Sequence, residues 1–170
     1  HRDLHLSLRR QRQMCIRDSY NMIMDEKDKE ILNILQLNGR MTASEISDRI
    51  DLSIPTVAER IRKLTEYGFL QEFRAIAGAK KVGYDVTAYI LLDMSSASDY
   101  DDVVKRSKKN SEVLECHSIT GEGSHILKIR TKNTSSLELL LRDIQSWPGV
   151  RRTRTMIVMS TIKETTILPV

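Results

Sequence analysis

The chain has 170 residues, of which 29% are charged and 40% hydrophobic, and carries a formal charge of +4. That length suits one large domain or two small ones, each able to bury a modest core, and no run of ~18 apolar residues offers a membrane span. Two cysteines, Cys15 and Cys116, form neither a disulfide framework nor a metal-binding spacing, so a reducing, cytoplasmic setting is the expectation.

The location of the charge matters more than its size. Residues 1–24 hold five Arg and two Asp, which leaves 22 basic and 21 acidic residues in all the rest. Between Asp25 and Arg74 there are eight basic and ten acidic residues. Any affinity of that stretch for nucleic acid must therefore come from a local patch and not from the field of the whole domain.

In chain order, residues 1–21 lack a periodic apolar face and the apolar core of a signal peptide. Met14-Cys15-Ile16-Arg17-Asp18-Ser19 resembles translated sequencing-adapter readthrough. This segment is expected to be a non-native or disordered tail, with Met22 or Met24 as the start. A basic DNA-binding arm is the alternative. Asp25–Asn38 carries Ile31, Leu32, Ile34, Leu35 and Leu37 at helical spacing, with acidic residues at its start, where the helix dipole favours them.

Met41–Gly68 reads as two helices joined at Asp51-Leu52-Ser53. Thr42 and Glu45 have the capping-box spacing, and Ile46 and Ile50 lie one turn apart. Pro55 suits a first helical turn, which makes Ser53 or Ile54 the cap. Ile54, Val57, Ile61 and Leu64 form the apolar stripe, while Thr56, Glu59, Arg60, Arg62, Lys63 and Glu66 fall on the other sides, and Gly68 ends the helix. Such a pair is what a helix-turn-helix needs to place its second helix in a DNA major groove. Thr56, Glu59, Arg60 and Lys63 are then placed to reach base edges or phosphates, next to Pro55. Arg40, Thr42, Ser53 and Arg74 are candidates for phosphate positioning.

Phe69–Ile76 alternates as a strand does and leads into a small, basic wing and linker with Lys80, Lys81 and Gly83. The expected division is a DNA-binding domain over 22–74, a linker over 75–84 and a second domain over 85–170. That second domain is read as strands over Val86–Met94, Val113–Thr120, His125–Thr131 and Val150–Thr161, with helices over Ser98–Asn110 and Leu137–Trp147. The order is βαββαβ, the ferredoxin-like arrangement, so the fold class is α+β. Taking Gly121–Ser124 as a four-residue hairpin loop sets Thr120 opposite His125, Cys116 opposite Ile129 and Glu115 opposite Arg130. Leu114, Cys116, Ser118, Leu127 and Ile129 then face the helices. Val113, Glu115, His117, Ile119, Ile126, Lys128 and Arg130 form a mixed face suited to association with another subunit.

Glu115-Cys116-His117 holds a nucleophile and a base, but neighbours on a strand point to opposite faces, so Cys116 and His117 cannot cooperate. His117 and His125 are not opposite one another and make a poor metal pair. No catalytic residue, metal site or cofactor is expected.

These residues resemble the Lrp/AsnC regulators, the feast/famine family. The resemblance rests on Asp28-Lys29-Glu30-Ile31-Leu32 with Leu35 and Asn38-Gly39-Arg40; Glu45-Ile46; Leu52-Ser53 with Val57, Arg60-Ile61 and Leu64; and Gly68-Phe69-Leu70. It continues with Glu115-Cys116-His117, Thr120-Gly121, Leu127-Lys128, Pro148-Gly149-Val150 and Thr153-Arg154-Thr155. It implies a winged helix-turn-helix joined to a ligand-sensing, ACT-like βαββαβ domain, in a prokaryotic, nucleoid-associated regulator of transcription. It also implies a homodimer formed through the sheet, assembling further to an octamer, with double-stranded DNA and an amino acid as partners.

The resemblance further implies an effector loop of Thr120, Gly121, Glu122, Gly123, Ser124 and His125. Many members carry an acid three positions after the loop's first glycine. Here that position is Ser124, and Glu122 is the loop's one acid, so a different effector or none is expected as readily as the usual one. Two alternatives stand beside a sequence-specific regulator: a nucleoid-architectural protein that wraps DNA without an effector and, more remotely, an enzyme-regulatory subunit of ferredoxin-like fold.

Overall fold

The computed structural model describes residues 23–170. The expectations for residues 1–21 therefore lie outside the described residues. The described residues form two compact units: residues 23–75 together with Thr165–Val170, and Ile76–Glu164.

The first unit is built on α1 (Glu26–Leu37), α2 (Ala43–Ile50) and α3 (Ile54–Glu66). Each begins with a side-chain cap. Asp25 and Asp28 close a reciprocal capping box on α1, Thr42 and Glu45 do the same on α2, and Ser53 caps α3 with proline in its first turn. Ile31, Leu32, Leu35, Ile46, Ile50, Val57, Leu64 and Leu70 form the core. Of the expected apolar stripe on α3, Val57 and Leu64 are fully buried and Ile61 half-buried, but Ile54 is 49% exposed. As the first helical residue, it projects beyond the end of the core. Asp51, between α2 and α3, adopts a left-handed conformation at φ 54°, and Gly68 ends α3 at φ 77°.

The strand expected over Phe69–Ile76 does not form, since the segment pairs with no other strand and every residue from Gln71 to Gly78 is exposed. Alternation alone does not make a strand without a ladder to join. The basic linker is a 3-10 turn, Ala79–Val82, closed by Gly83. Thr165–Val170, placed by sequence with the second domain, belongs to the first unit. The Gln36 amide donates to the Leu168 carbonyl (3.0 Å) and accepts from its N–H (2.7 Å), and Asn33 donates to the Val170 carbonyl (3.1 Å).

The second unit runs β1 (Val86–Met94), α4 (Tyr100–Lys109), β2 (Val113–Ser118), β3 (His125–Thr131), α5 (Thr134–Gln145) and β4 (Val150–Ile157). The sheet order is β2-β3-β1-β4 with antiparallel neighbours, as βαββαβ connectivity requires. Asn133 caps α5, its side chain accepting from the Ser136 N–H. Ala88, Ile90, Leu92, Leu127 and Ile129 cover one sheet face with Val103, Leu137, Leu140 and Ile144 from the helices and Trp147 from the turn after α5.

The hairpin register differs from expectation by two residues. Ser118 pairs with His125, His117 with Ile126, Cys116 with Leu127 and Glu115 with Lys128. β2 stops at Ser118, and Ile119 donates to the Ser124 carbonyl (3.0 Å), so the loop is longer than four residues. A slip of two preserves faces, and the two-face assignment survives except at one point. An irregularity between Val113 and Glu115 turns Val113 onto the core and leaves Leu114 50% exposed, the reverse of the expected pair.

Candidate nucleic-acid interface and effector loop

In the first unit, Arg40, Thr42, Ser53, Pro55, Thr56, Glu59, Lys63 and Arg74 are all exposed, and Arg60 is half-buried. At the start of α3 the Ser53 and Thr56 hydroxyls lie 2.7 Å apart, with the Thr56 N–H directed at Ser53 Oγ. This helix end therefore carries hydrogen-bonding groups at the surface. The basic side chains divide unequally. Arg62 is held along the helix by Glu59 and Glu66. Lys63 reaches no closer than 3.9 Å to Glu59, and Arg74 lies 3.2 Å from Glu72 in the open.

Arg60, expected to reach DNA, is engaged within the first unit. Its Nη1 donates to Asp25 Oδ2 (2.8 Å) and to Asp28 Oδ1 (2.7 Å) at the start of α1. The sequence signal was available: Arg60 is three residues after Val57 and four before Leu64, which places it on the flank of the buried stripe. Asp25 is held below the ordinary carboxylate value by the Asp28 N–H and then by Arg60, and Arg60 is raised by Asp28 and then Asp25.

In the second unit the loop after β2 folds onto the end of β1. Both the N–H (2.8 Å) and the hydroxyl (3.0 Å) of Ser124 donate to the Leu92 carbonyl. Gly123, at φ 86°, passes so close that a Cβ there would lie 3.1 Å from the same oxygen. His125 is buried on the helix face. Its Nδ1 lies 3.2 Å from Ser124 Oγ, and its ring meets Tyr100 edge to face. Burial pushes the imidazole below its ordinary value. Ser124 and His125 are therefore engaged internally, whereas Thr120, Gly121 and Glu122 are exposed, with Glu122 paired to Arg154 of β4 at 2.6 Å.

The open sheet face carries Tyr89, Leu91, Ile126, Lys128, Arg130, Glu115, His117 and Met156. After β4 the chain brings Glu164 onto this face, where its carboxylate takes Lys128 (2.5 Å) and Arg130 (2.6 Å); Lys128 also binds Glu115 (3.0 Å). Cys116 packs towards the core while His117 lies exposed on the open side, so the two do not meet. Among the described residues no group of three or more His, Cys, Asp or Glu side chains is placed to hold a metal ion.

A capped three-helix unit with an exposed second helix of a helix-turn-helix, followed by a βαββαβ unit, defines a two-part DNA-binding protein. Residues 24–71 match the model of the winged helix-turn-helix DNA-binding family, and residues 87–168 match that of the Lrp/AsnC ligand binding domain. The chain is 43% identical over 147 residues to the HTH-type transcriptional regulator FL11 of Pyrococcus horikoshii, covering 86% of this chain and 97% of that one. It is 31% identical to the leucine-responsive regulatory protein of Escherichia coli, covering 83% and 88%. Among solved structures it resembles a transcriptional regulator of Neisseria meningitidis in complex with L-methionine, with a TM-score of 0.82, 29% identity and coverage of 86% and 97%.

The chain belongs to the Lrp/AsnC family of DNA-binding transcriptional regulators. Its relatives are regulators and not enzymes.

Proposed function

We propose that this regulator binds DNA as a dimer, or a higher assembly of dimers, joined through the open sheet face, and that an amino acid at the β2–β3 loop biases that assembly. Two α3 helices would enter successive major grooves of a pseudo-palindromic site, with Ser53, Pro55, Thr56, Glu59 and Lys63 at the bases and backbone. Arg40, Thr42 and Arg74 would hold phosphates. The single observation that carries the reading is the exposure of this whole set around the start of α3. Association is supported by apolar side chains left uncovered at the open face and beyond β4: Met156 is 49% exposed, Met159 94% and Ile162 93%. An amino-acid effector is supported by the methionine complex of the similar Neisseria protein.

The test is a fluorescence titration of the promoter next to the protein's own gene across a range of salt. Log affinity should fall steeply with log salt, by about 0.9 per phosphate contacted. An affinity insensitive to salt would overturn the proposal.

One observation favours a second reading, an architectural DNA-binding protein without an effector. The Ser124 hydroxyl, at the position where the family resemblance implies an acid, is engaged by the Leu92 carbonyl. A calorimetric screen of the twenty amino acids separates the two readings. Binding of any one of them supports the sensor, and silence together with equal affinity for random DNA supports the architectural protein.

A further inference from the structure

We propose that Arg60, although carried by the helix assigned to DNA, is a positioning residue that clamps α3 to the capped start of α1 and so sets the angle at which the exposed face of α3 is offered. The inference rests on α3 being the helix that meets DNA.

The geometry of the capping box supports the clamp. Asp25 Oδ1 accepts from the Asp28 N–H (2.8 Å) and Asp28 Oδ2 accepts from the Asp25 N–H (3.2 Å). Each carboxylate thus spends one oxygen on the other's backbone and has one left, and the two remaining oxygens converge on the same Arg60 nitrogen at 2.8 and 2.7 Å. The box that starts α1 is also the socket for a side chain from the middle of α3, 32 residues from Asp28.

Burial decides which role the guanidinium keeps. The Asp28 side chain is only 5% exposed and that of Arg60 27%. Withdrawing Arg60 to meet a base would leave a buried carboxylate beside a second one with no cation between them, and an uncompensated buried charge costs more than an exposed pair gains. Two carboxylates against one guanidinium also leave the cluster at net −1, so a phosphate is repelled from it. Asp25 is depressed by the Asp28 N–H and then by Arg60, and Arg60 is raised by Asp28 and then by Asp25, the directions this pairing produces. Recognition at base edges depends on helix placement, so a small rotation of α3 would cost specificity before it costs non-specific attraction.

A double-mutant cycle on the full chain tests this, with Arg60→Met, Asp28→Asn and the double variant titrated on specific and random DNA over a range of salt. If Arg60 is the clamp, each single substitution lowers affinity for the specific site by about tenfold or more while affinity for random DNA changes less than about twofold. The salt slope stays unchanged, and the double variant is no worse than Arg60→Met because both remove the same contact. Arg60→Lys, which keeps the charge, recovers part of the loss.

If Arg60 instead meets DNA, Arg60→Met reduces the salt slope by about 0.9 where it contacts a phosphate, or relaxes sequence preference at one base pair where it reads a base edge. Asp28→Asn then leaves binding unchanged or tightens it by releasing the guanidinium. Either result overturns the proposal, as does a loss on specific and random DNA in proportion to the folded fraction alone. Should Arg60→Met not fold, Asp28→Asn decides alone, since weaker specific binding at constant salt slope is expected only from the clamp. A wild-type chain with no salt-sensitive DNA affinity would overturn the functional reading together with the positioning role, whereas reader-like variants of a chain that does bind overturn the positioning role only.

Discussion

At His125 a single side chain links burial to pH. The imidazole is 3% exposed, stacked edge-on by Tyr100 and held from its ordinary value of 6.5 towards lower pH by desolvation. The unfolded chain takes up a proton near pH 6.5 while the folded one resists, so protons favour unfolding. Its contribution to stability is complete above that pH, declines as pH falls below it, and levels off once the buried imidazole is itself protonated. The thermal midpoint of the second unit, followed by fluorescence of the buried Trp147, should therefore fall between pH 7.5 and pH 5.5. His125→Gln should flatten that dependence, and an equal pH dependence in the variant would refute the assignment. This histidine was predicted to touch an effector. The alternation of β3 placed it on the same face as Leu127 and Ile129, and on that evidence it could have been assigned to the core.

At the scale of elements, local chemistry sets the helix starts and long-range packing sets the strands. Thr42 illustrates the first. Its hydroxyl accepts from the Glu45 N–H, and the Glu45 carboxylate accepts from the Thr42 N–H at 2.7 Å. Thr42→Ala should cost about 1 kcal/mol of stability, seen as a lower denaturant midpoint for the first unit at unchanged m-value. No measurable shift would mean that the cap is replaced by water.

These capping residues sit three positions apart and were legible directly, as were β1 from Val86 to Met94 and the turn between α2 and α3. The outcome after Gly68 was not legible, because Phe69–Ile76 has the alternation of a strand but no strand partner among the described residues. The β2–β3 hairpin was half legible. Alternation fixed which side chains share a face, but the loop from Ile119 is anchored by Ser124 to the Leu92 carbonyl of β1, a strand that is not part of the hairpin.

At the scale of the molecule, the proposed assembly would raise DNA affinity by multiplying a weak local site. The described part of the first unit is not basic overall, Arg60 and Arg62 are neutralised within it, and Lys63 is the basic side chain of α3 with the loosest tie. Pairing two such units raises the effective concentration of the second, and avidity of this kind reaches about 10²–10⁴. Ile126→Glu places a charge on the open sheet face beside Leu91 and opposite His117. It is expected to dissociate the proposed dimer in sedimentation while leaving Trp147 emission unchanged, and to lower affinity for the specific site by about that same factor. A variant that stays dimeric would place the interface elsewhere.

The sequence alone determined the kind of protein this is: three helices, the last two with legible caps and a helix-turn-helix spacing, then a βαββαβ order. Those features depend on residues three or four apart, or on alternation along one strand, and such short-range rules are written in consecutive letters. Only the tertiary structure decided which polar side chains remain available. Arg60 is spent on a carboxylate pair from another helix, Ser124 on a carbonyl of another strand, Lys128 and Arg130 on Glu164, and Gln36 on the backbone of Leu168. A charge or hydroxyl seeks whichever partner folding brings within about 3 Å, and that partner stands anywhere from 32 to 132 residues away in the chain. The periodicity of α3 sets which of its faces is buried and which is offered outward, but the contacts of its side chains decide which of them are free to meet a partner.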